Sequence, residues 1–361
     1  MKRLEIVQIG LGHVGRAVAQ IVLEVRKHWR EHHGLEVVYR AVSDTSGALV
    51  GEDLLPQAIR TKEDGGKLSE LGVEPLEEIL VSEPAPGYTR AVVDVAVHGG
   101  TYDLDLLGVR NGSCLVLSNK GPLSESTERY EKLTRMLPDR LWHEATVGAG
   151  MPIISTLDGL LASGDEILEI QASPSGTLGF VMSAVEAGRR FSEAVKEAVA
   201  LAYAEPDPRD DLSGLDVARK AIILARKMGR TIEPEEIPYK SLVPEGLEDV
   251  SLEEFMERLP EHDEAFAERL LAVEEHHMLR YLARIPREGP VTVGLVDEPV
   301  ESPFGPISGP ENVFDFRTRR YSDVTLTIRG PGAGPERTGS GVVFDLLDIA
   351  HKVVKDDGEE L

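Results

Sequence analysis

Leu4-Glu-Ile-Val-Gln-Ile-Gly-Leu-Gly-His-Val-Gly15 is the stretch that decides the fold. Residues 4–9 form an apolar run of strand character, and a Gly-x-Gly-x-x-Gly motif follows without a gap. Beyond it Val14, Ala17, Val18, Ile21, Val22 and Val25 recur at helical spacing to about His32, with Gly34 as a stop. Strand, glycine turn and helix in that order are the context in which this motif holds a dinucleotide. Gly10 permits the tight turn, Gly12 lets backbone approach a pyrophosphate, and Gly15 lets helix pack closely on strand. His13 and Val14 open the helix beside the phosphates and are counted with the glycines. The plain alternative is a glycine-rich turn with no ligand.

Working outward, a second strand over residues 37–42 ends at Ser43-Asp44, and β-branched runs follow at 91–97 and 113–117. Strands alternating with helices at this spacing predict an α/β fold, a doubly wound parallel sheet of Rossmann type over residues 1–150. Asp44 is placed to accept a ribose 2′-hydroxyl, which favours NAD. Arg40, Arg60 and Lys62 are near enough in sequence to hold a 2′-phosphate, so use of both NAD and NADP is expected. The texture changes at Glu144-Ala-Thr-Val-Gly-Ala-Gly-Met-Pro152, a glycine-rich crossing into an α+β domain over residues 151–318. There a strand is expected at 167–172, helices up to Met228, a strand at 291–296, and a Pro- and Gly-rich loop at 302–316. Residues 319–361 are expected to carry one more strand, at 324–329, and a C-terminal helix that returns to the first domain.

With 361 residues the chain has room for about two domains and an ample core. A formal charge of −24 argues against nucleic acid or an anionic membrane as partner, since phosphate binding needs basic stripes. No apolar run reaches the length of a membrane span, and nothing near the N-terminus reads as a signal, so a cytoplasmic protein is expected. The single cysteine, Cys114, excludes an internal disulfide and a cysteine-rich zinc site. His28 and His32 have the spacing of a helical metal pair but no third ligand; with His276-His277 they read as polar helix surface.

Two further segments carry chemistry. In Ser118-Asn-Lys-Gly-Pro122, Lys120 stands at the C-terminal end of a parallel strand, where open α/β sheets place their ligands. It either neutralises charge on a ligand or is a surface lysine in a turn. The other segment is Tyr203-Ala-Glu-Pro-Asp-Pro-Arg-Asp-Asp-Leu-Ser-Gly-Leu-Asp-Val-Ala-Arg-Lys220. Past Gly214, Val217, Ala221, Leu224 and Met228 form an apolar stripe, with Lys220 on or beside it and Asp216 one turn earlier. A partly desolvated lysine flanked by carboxylates can be tuned to give a proton to a developing alkoxide, and the remaining acids can clamp an ammonium group. The plain reading is a solvated Asp–Lys pair.

Six signatures in order resemble homoserine dehydrogenase, in its monofunctional form without a C-terminal regulatory domain. They are Gly10-Leu-Gly-His-Val-Gly15, Ser118-Asn-Lys120, Glu144 to Pro152, Ser175-Gly-Thr-Leu178, Ala204 to Lys220 and Gly330-Pro-Gly-Ala-Gly334. The resemblance covers almost the whole chain. It implies reversible NAD(P)-dependent conversion of L-homoserine and L-aspartate 4-semialdehyde, on the routes to threonine, isoleucine and methionine. By that pattern Lys220 is the proton donor to the aldehyde oxygen, and Lys120 stabilises the same developing charge. Glu205 and Asp216 hold the substrate's amino and hydroxyl end, Asp211 supports the charge network, and Thr177 and Tyr203 line the pocket. Gly334 touches the nucleotide. A sodium ion is implied at Glu144 and the main-chain carbonyls of Val147, Ala149 and Met151, and a homodimer through the second domain. Ala96-Val97-His98-Gly99 departs from the family, which more commonly has small hydroxylated residues there. The rival enzyme, an acylating semialdehyde dehydrogenase, needs a reactive thiol, and Cys114 in an apolar strand reads as core. A non-catalytic nucleotide sensor would leave the Lys220 cluster without a purpose.

Overall fold

The computed structural model describes residues 1–97 and 99–354, so His98 lies outside the described residues. The chain forms two compact units, residues 1–152 together with 334 onward, and residues 153–333. In the first, β1 (Lys2–Ile9), β2 (Leu35–Asp44), β3 (Gly47–Val50), β4 (Thr89–Asp94), β5 (Cys114–Leu117) and β6 (Leu141–Trp142) make one sheet. Their order is β3-β2-β1-β4-β5-β6. Every pairing is parallel except β3 on β2, an edge hairpin that the alternation of strands and helices did not announce.

Leu4, Ile6 and Val7 of β1 are 0% exposed. A central parallel strand is covered on both faces, which is why residues 4–9 are mostly apolar without strict alternation, and why Glu5 and Gln8 are buried as well. The strand order reverses between β1 and β4, and open sheets of this kind place their ligands at such a switch point, beyond the C-terminal strand ends. The glycine turn leaves β1 there and leads into α1 (His13–His32), while α2 (Tyr102–Arg110) follows β4.

The second unit is built on β7 (Ile167–Ser173), β8 (His277–Pro286), β9 (Thr292–Pro299), β10 (Glu311–Thr318) and β11 (Leu326–Pro331). All pairings in the order β11-β10-β7-β8-β9 are antiparallel. α3 (Gly176–Glu186) and α4 (Leu215–Lys227) pack on this sheet. Ile170, Ala172, Phe314 and Phe316 are buried in the sheet, while Glu169, Gln171, Asp315, Arg317 and Glu298 line a shared polar concavity. α5 (Pro335–Lys352) then closes the first unit against α1, approaching so closely that a Cβ on Gly339 would meet Val18 N at 3.2 Å. Among the described residues no helix is long and apolar enough to cross a membrane.

Three expectations need correction. The stretch 302–316 is a loop only to Pro310; β10 starts at Glu311, where Val313, Phe314 and Phe316 are wholly buried. The dense Pro and Gly before it masked the strand. The return to the first unit begins at Gly334 rather than 319, because β11 is hydrogen-bonded along β10. His276 sits at φ 64° in a turn and His277 begins β8, so that pair is not on a helix.

Candidate active site

The nucleotide half belongs to the first unit. Gly10 has φ 97°, and its amide donates to Ser43 O at 3.0 Å, tying the turn to β2. A Cβ on Gly15 would stand 2.2 Å from Gly10 O, so the helix enters against the turn as the motif requires. Gly12 and His13 are exposed, and Val14 is half-buried against the core. Beneath the turn lies a support that sequence reading missed. Gln8 Nε2 donates to Gly10 O and to Gly15 O, both at 2.9 Å, and Tyr39 OH donates to Gln8 Oε1 at 3.1 Å. Gln8 is 0% exposed. Its only signal in the sequence is a side-chain amide inside the mostly apolar part of the strand.

Gln8→Leu takes this donor from the Gly10 carbonyl of the turn and the Gly15 carbonyl in the first turn of α1, at an expected cost of about 1–3 kcal/mol. Thermal unfolding should shift downward and nucleotide affinity, read by fluorescence titration, should fall. An unchanged affinity would show that Gln8 does not shape the turn.

Asp44 is at the end of β2, as expected, but its carboxylate is already engaged. Oδ1 accepts from Ser46 N at 2.8 Å and Ser46 Oγ at 2.5 Å, and Oδ2 from Lys62 Nζ at 2.9 Å and Leu68 N at 3.1 Å. Burial pushes its pKa up, but the hydrogen bonds from Ser46, Lys62 and Leu68 outweigh it and bring the value to about 2. Four donors match the capacity of a carboxylate, so a ribose hydroxyl would have to displace one of them. Arg40 and Arg60 are exposed, and Lys62 sits on Asp44 itself.

At the end of β4, Asp94 accepts from Ala96 N at 2.9 Å, Thr101 Oγ1 at 2.7 Å and Asn119 Nδ2 at 2.9 Å. Lys120, next to Asn119, is half-buried at the start of a short helix, Gly121–Ser124. Cys114 is wholly buried in β5, and burial pushes its thiol up to about 11, which suits core rather than a nucleophile.

In the second unit the acid-rich segment folds around α3 and α4. Gly214, at φ 77°, turns the chain into α4, and a Cβ there would collide with the Tyr281 hydroxyl. Lys220 is only 8% exposed, and its Nζ lies 2.7 Å from Asp216 Oδ2 and 2.7 Å from Pro174 O. Both of these contacts are to acceptor oxygens, so the Lys220 nitrogen donates to each. Asp211 Oδ2 accepts from Glu205 N at 2.8 Å, while Glu205 and Tyr203 themselves are exposed. The Tyr203 ring packs edge-on against Phe180 of α3.

Thr177 Oγ1 lies 2.6 Å from Tyr203 O and 2.9 Å from Asp211 Oδ1. One hydroxyl carries one proton and the carbonyl can only accept, so a proton on Asp211 satisfies both contacts. Burial, with the nearby charges of Glu205 and Asp216, pushes the Asp211 pKa in that direction. The structure thus groups Lys220 with Asp216, and Asp211 with Thr177, Tyr203 and Glu205. Lys120 and the glycine turn belong to the other unit.

The glycine-rich crossing is tightly held. Gly148 and Ala149 both have left-handed backbone, at φ 81° and 57°, and a non-glycine residue pays for that conformation. Glu144, Val147, Ala149 and Met151 are all buried. Glu144 N donates to Asp345 Oδ2 of α5 at 2.9 Å, and burial together with Glu144 raises the Asp345 pKa. Among the described residues no group of three or more His, Cys, Asp or Glu side chains could hold a metal, so any cation here depends on main-chain oxygens. Gly334, at φ 113°, leads into α5. Two residues earlier Gly332 lies under the fully buried Asn312, whose Nδ2 would be 1.8 Å from a Cβ there. That contact explains the middle glycine of Gly330-Pro-Gly-Ala-Gly334.

Known proteins match this chain over nearly its whole length. The homoserine dehydrogenase family model matches residues 152–347. A homoserine dehydrogenase of Saccharomyces cerevisiae is 32% identical over 368 residues, covering 98% of this chain and 99% of that one. The chloroplastic bifunctional aspartokinase/homoserine dehydrogenase 1 of Zea mays is 43% identical over 265 residues, 71% of this chain. That match spans 28% of the length of the maize protein. A hyperthermophilic archaeal homoserine dehydrogenase solved with NADPH superposes with a TM-score of 0.74 at 26% identity, covering 97% of this chain and 98% of that one. The chain belongs to the homoserine dehydrogenase family.

Proposed function

We propose that the chain interconverts L-homoserine and L-aspartate 4-semialdehyde with NAD(P), and that Lys220 moves the proton. The observation that carries this reading is a buried lysine, paired with Asp216 and seated on Pro174 O, in a chain of this family. The bound nucleotide supplies the hydride to the aldehyde carbon, or takes it in reverse. As the carbonyl π bond breaks, Lys220 gives its proton to the oxygen, and in homoserine oxidation it takes that proton back. Lys120 is assigned to stabilising the developing negative charge, an electrostatic role that strengthens where water is excluded. Glu205 and Asp216 are assigned to the substrate's amino and hydroxyl end. Asp211, Thr177 and Tyr203 shape that side of the pocket.

Gly10, Gly12, His13, Val14, Gly15 and Gly334 are assigned to the nucleotide. The full engagement of Asp44 and the presence of Lys62 on it favour NADP over NAD. The left-handed turn at Gly148 and Ala149, beside buried Glu144, supports a sodium site on the carbonyls of Val147, Ala149 and Met151. The polar concavity on the second sheet supports pairing of two copies through the second unit. Such a biosynthetic enzyme would work in the cytoplasm.

The test is a spectrophotometric assay of homoserine oxidation with each nucleotide, with and without sodium or potassium. Reduced nicotinamide should accumulate only when homoserine is present, faster with NADP. Tight nucleotide binding without turnover would favour the sensor reading instead.

A further inference from the structure

Asp105 of α2 is 0% exposed, and among the described residues no N–H or O–H donor meets either of its carboxyl oxygens. The group that faces it is the carboxyl of Asp94, also 0% exposed. Asp94 is well supplied, accepting from Ala96 N, Thr101 Oγ1 and Asn119 Nδ2. Two buried carboxylates in contact, one of them without donors, cannot both be ionised. A single proton resolves the conflict, and it belongs on the carboxyl that has nothing else to accept. Burial, then the Asp94 charge, pushes Asp105 well above the carboxylate range; burial raises Asp94 as well, but its donors from Thr101, Ala96 and Asn119 offset part of that rise. Of the elements packed on α2, β5 presents only the Cys114 thiol, and Glu77, Glu78 and Arg129 on the neighbouring helices are exposed. Asp94 is therefore the charge that Asp105 answers to.

The pair also has a position that matters. Asn119 Nδ2 bridges Asp94 Oδ2 and Thr101 Oγ1, both at 2.9 Å, and Asn119 Oδ1 accepts from Gly121 N at 3.0 Å. Ser118 N donates to Asp94 O at 2.9 Å. The Asp94–Asn119–Gly121 chain of hydrogen bonds thus straddles Lys120 on both sides. We infer that Asp105, held as the neutral acid, donates its proton to Asp94 and is a positioning residue for the turn that presents Lys120. The inference takes the catalytic role of Lys120 from the function proposed above. The shared proton itself does not depend on that role.

The test compares the wild-type protein with Asp105→Asn, which is neutral and still donates, and with Asp105→Leu, which cannot. Infrared difference spectra near neutral pH should show a carboxylic-acid C=O stretch that disappears in Asp105→Asn. A carboxyl with a raised folded pKa gives stability that is complete below its unfolded value and is lost as pH rises towards the folded value. From about pH 4 upward the wild type should therefore lose stability relative to Asp105→Asn. Asp105→Asn should keep kcat, whereas Asp105→Leu should lose about tenfold or more in kcat with little change in nucleotide affinity. Absence of the band, or equal pH dependence of wild type and Asp105→Asn, overturns the shared proton. Equal loss of kcat in both variants overturns the positioning role. The spectra and unfolding curves need no substrate, so failure of homoserine turnover with the band present would count against the proposed function and leave the proton pair standing.

Discussion

Lys220→Ala is expected to lower kcat for homoserine oxidation by roughly a thousandfold while leaving nucleotide affinity within about twofold. The loss is large because positioned proton transfer is worth about 10²- to 10⁴-fold, and no water can be as well placed as a side-chain nitrogen held at 2.7 Å by both Asp216 and Pro174 O. The fold should survive the change. Asp216 keeps 46% of its side-chain surface exposed, so without the lysine it is solvated rather than stranded, and alanine suits a helix interior. What is lost structurally is the packing of the lysine stem, and Lys220→Met restores that without the proton. Both variants should therefore bind nucleotide and be equally inactive. A Lys220→Met enzyme that turns over near the wild-type rate would remove Lys220 from the chemistry.

The site was more legible in the sequence than its supports. The helical stripe through Val217, Ala221 and Leu224 placed Lys220 at the buried edge of α4, because helical periodicity is a local property that the backbone cannot evade. The glycine turn was legible for the same reason. Gly10 and Gly15 each answer a close approach, Gly10 to the backbone of Val95 and Ala96 and Gly15 to Gly10 O. Gln8, Tyr39 and Asp105 were not legible, because their contacts follow from the three-dimensional turn or from another strand and not from a sequence period. Asp44 shows the limit from the other side. Its place at the strand end was correct, but nothing in the sequence says that Lys62, Leu68 and Ser46 will occupy its oxygens. β10 was hidden by its proline-rich approach, since turn residues say where a loop is and not where it stops.

The second large effect separates two glycines that the motif treats alike. A Cβ on Gly15 would lie 2.2 Å from Gly10 O and 2.9 Å from Gln8 Nε2, both parts of a fixed, buried turn. Overpacking of this kind costs about 1–3 kcal/mol, and relief requires α1 to move away from β1. The helix N-terminus would then miss the phosphates, so Gly15→Ala should both lower the unfolding temperature and weaken nucleotide binding by roughly 30-fold, the equivalent of about 2 kcal/mol. Gly12 is different. Nothing lies within 4 Å of a Cβ built there, and its φ of −73° is one any residue adopts. On protein contacts alone Gly12→Ala should be neutral in stability. Its glycine is needed only if a ligand comes against the backbone, so Gly12→Ala should leave the unfolding temperature unchanged while nucleotide affinity falls about tenfold or more. Unfolding curves and nucleotide titrations of the two variants therefore read the turn twice. If Gly12→Ala binds nucleotide as tightly as the wild type, the pyrophosphate does not sit on this turn, whatever the fate of Gly15→Ala.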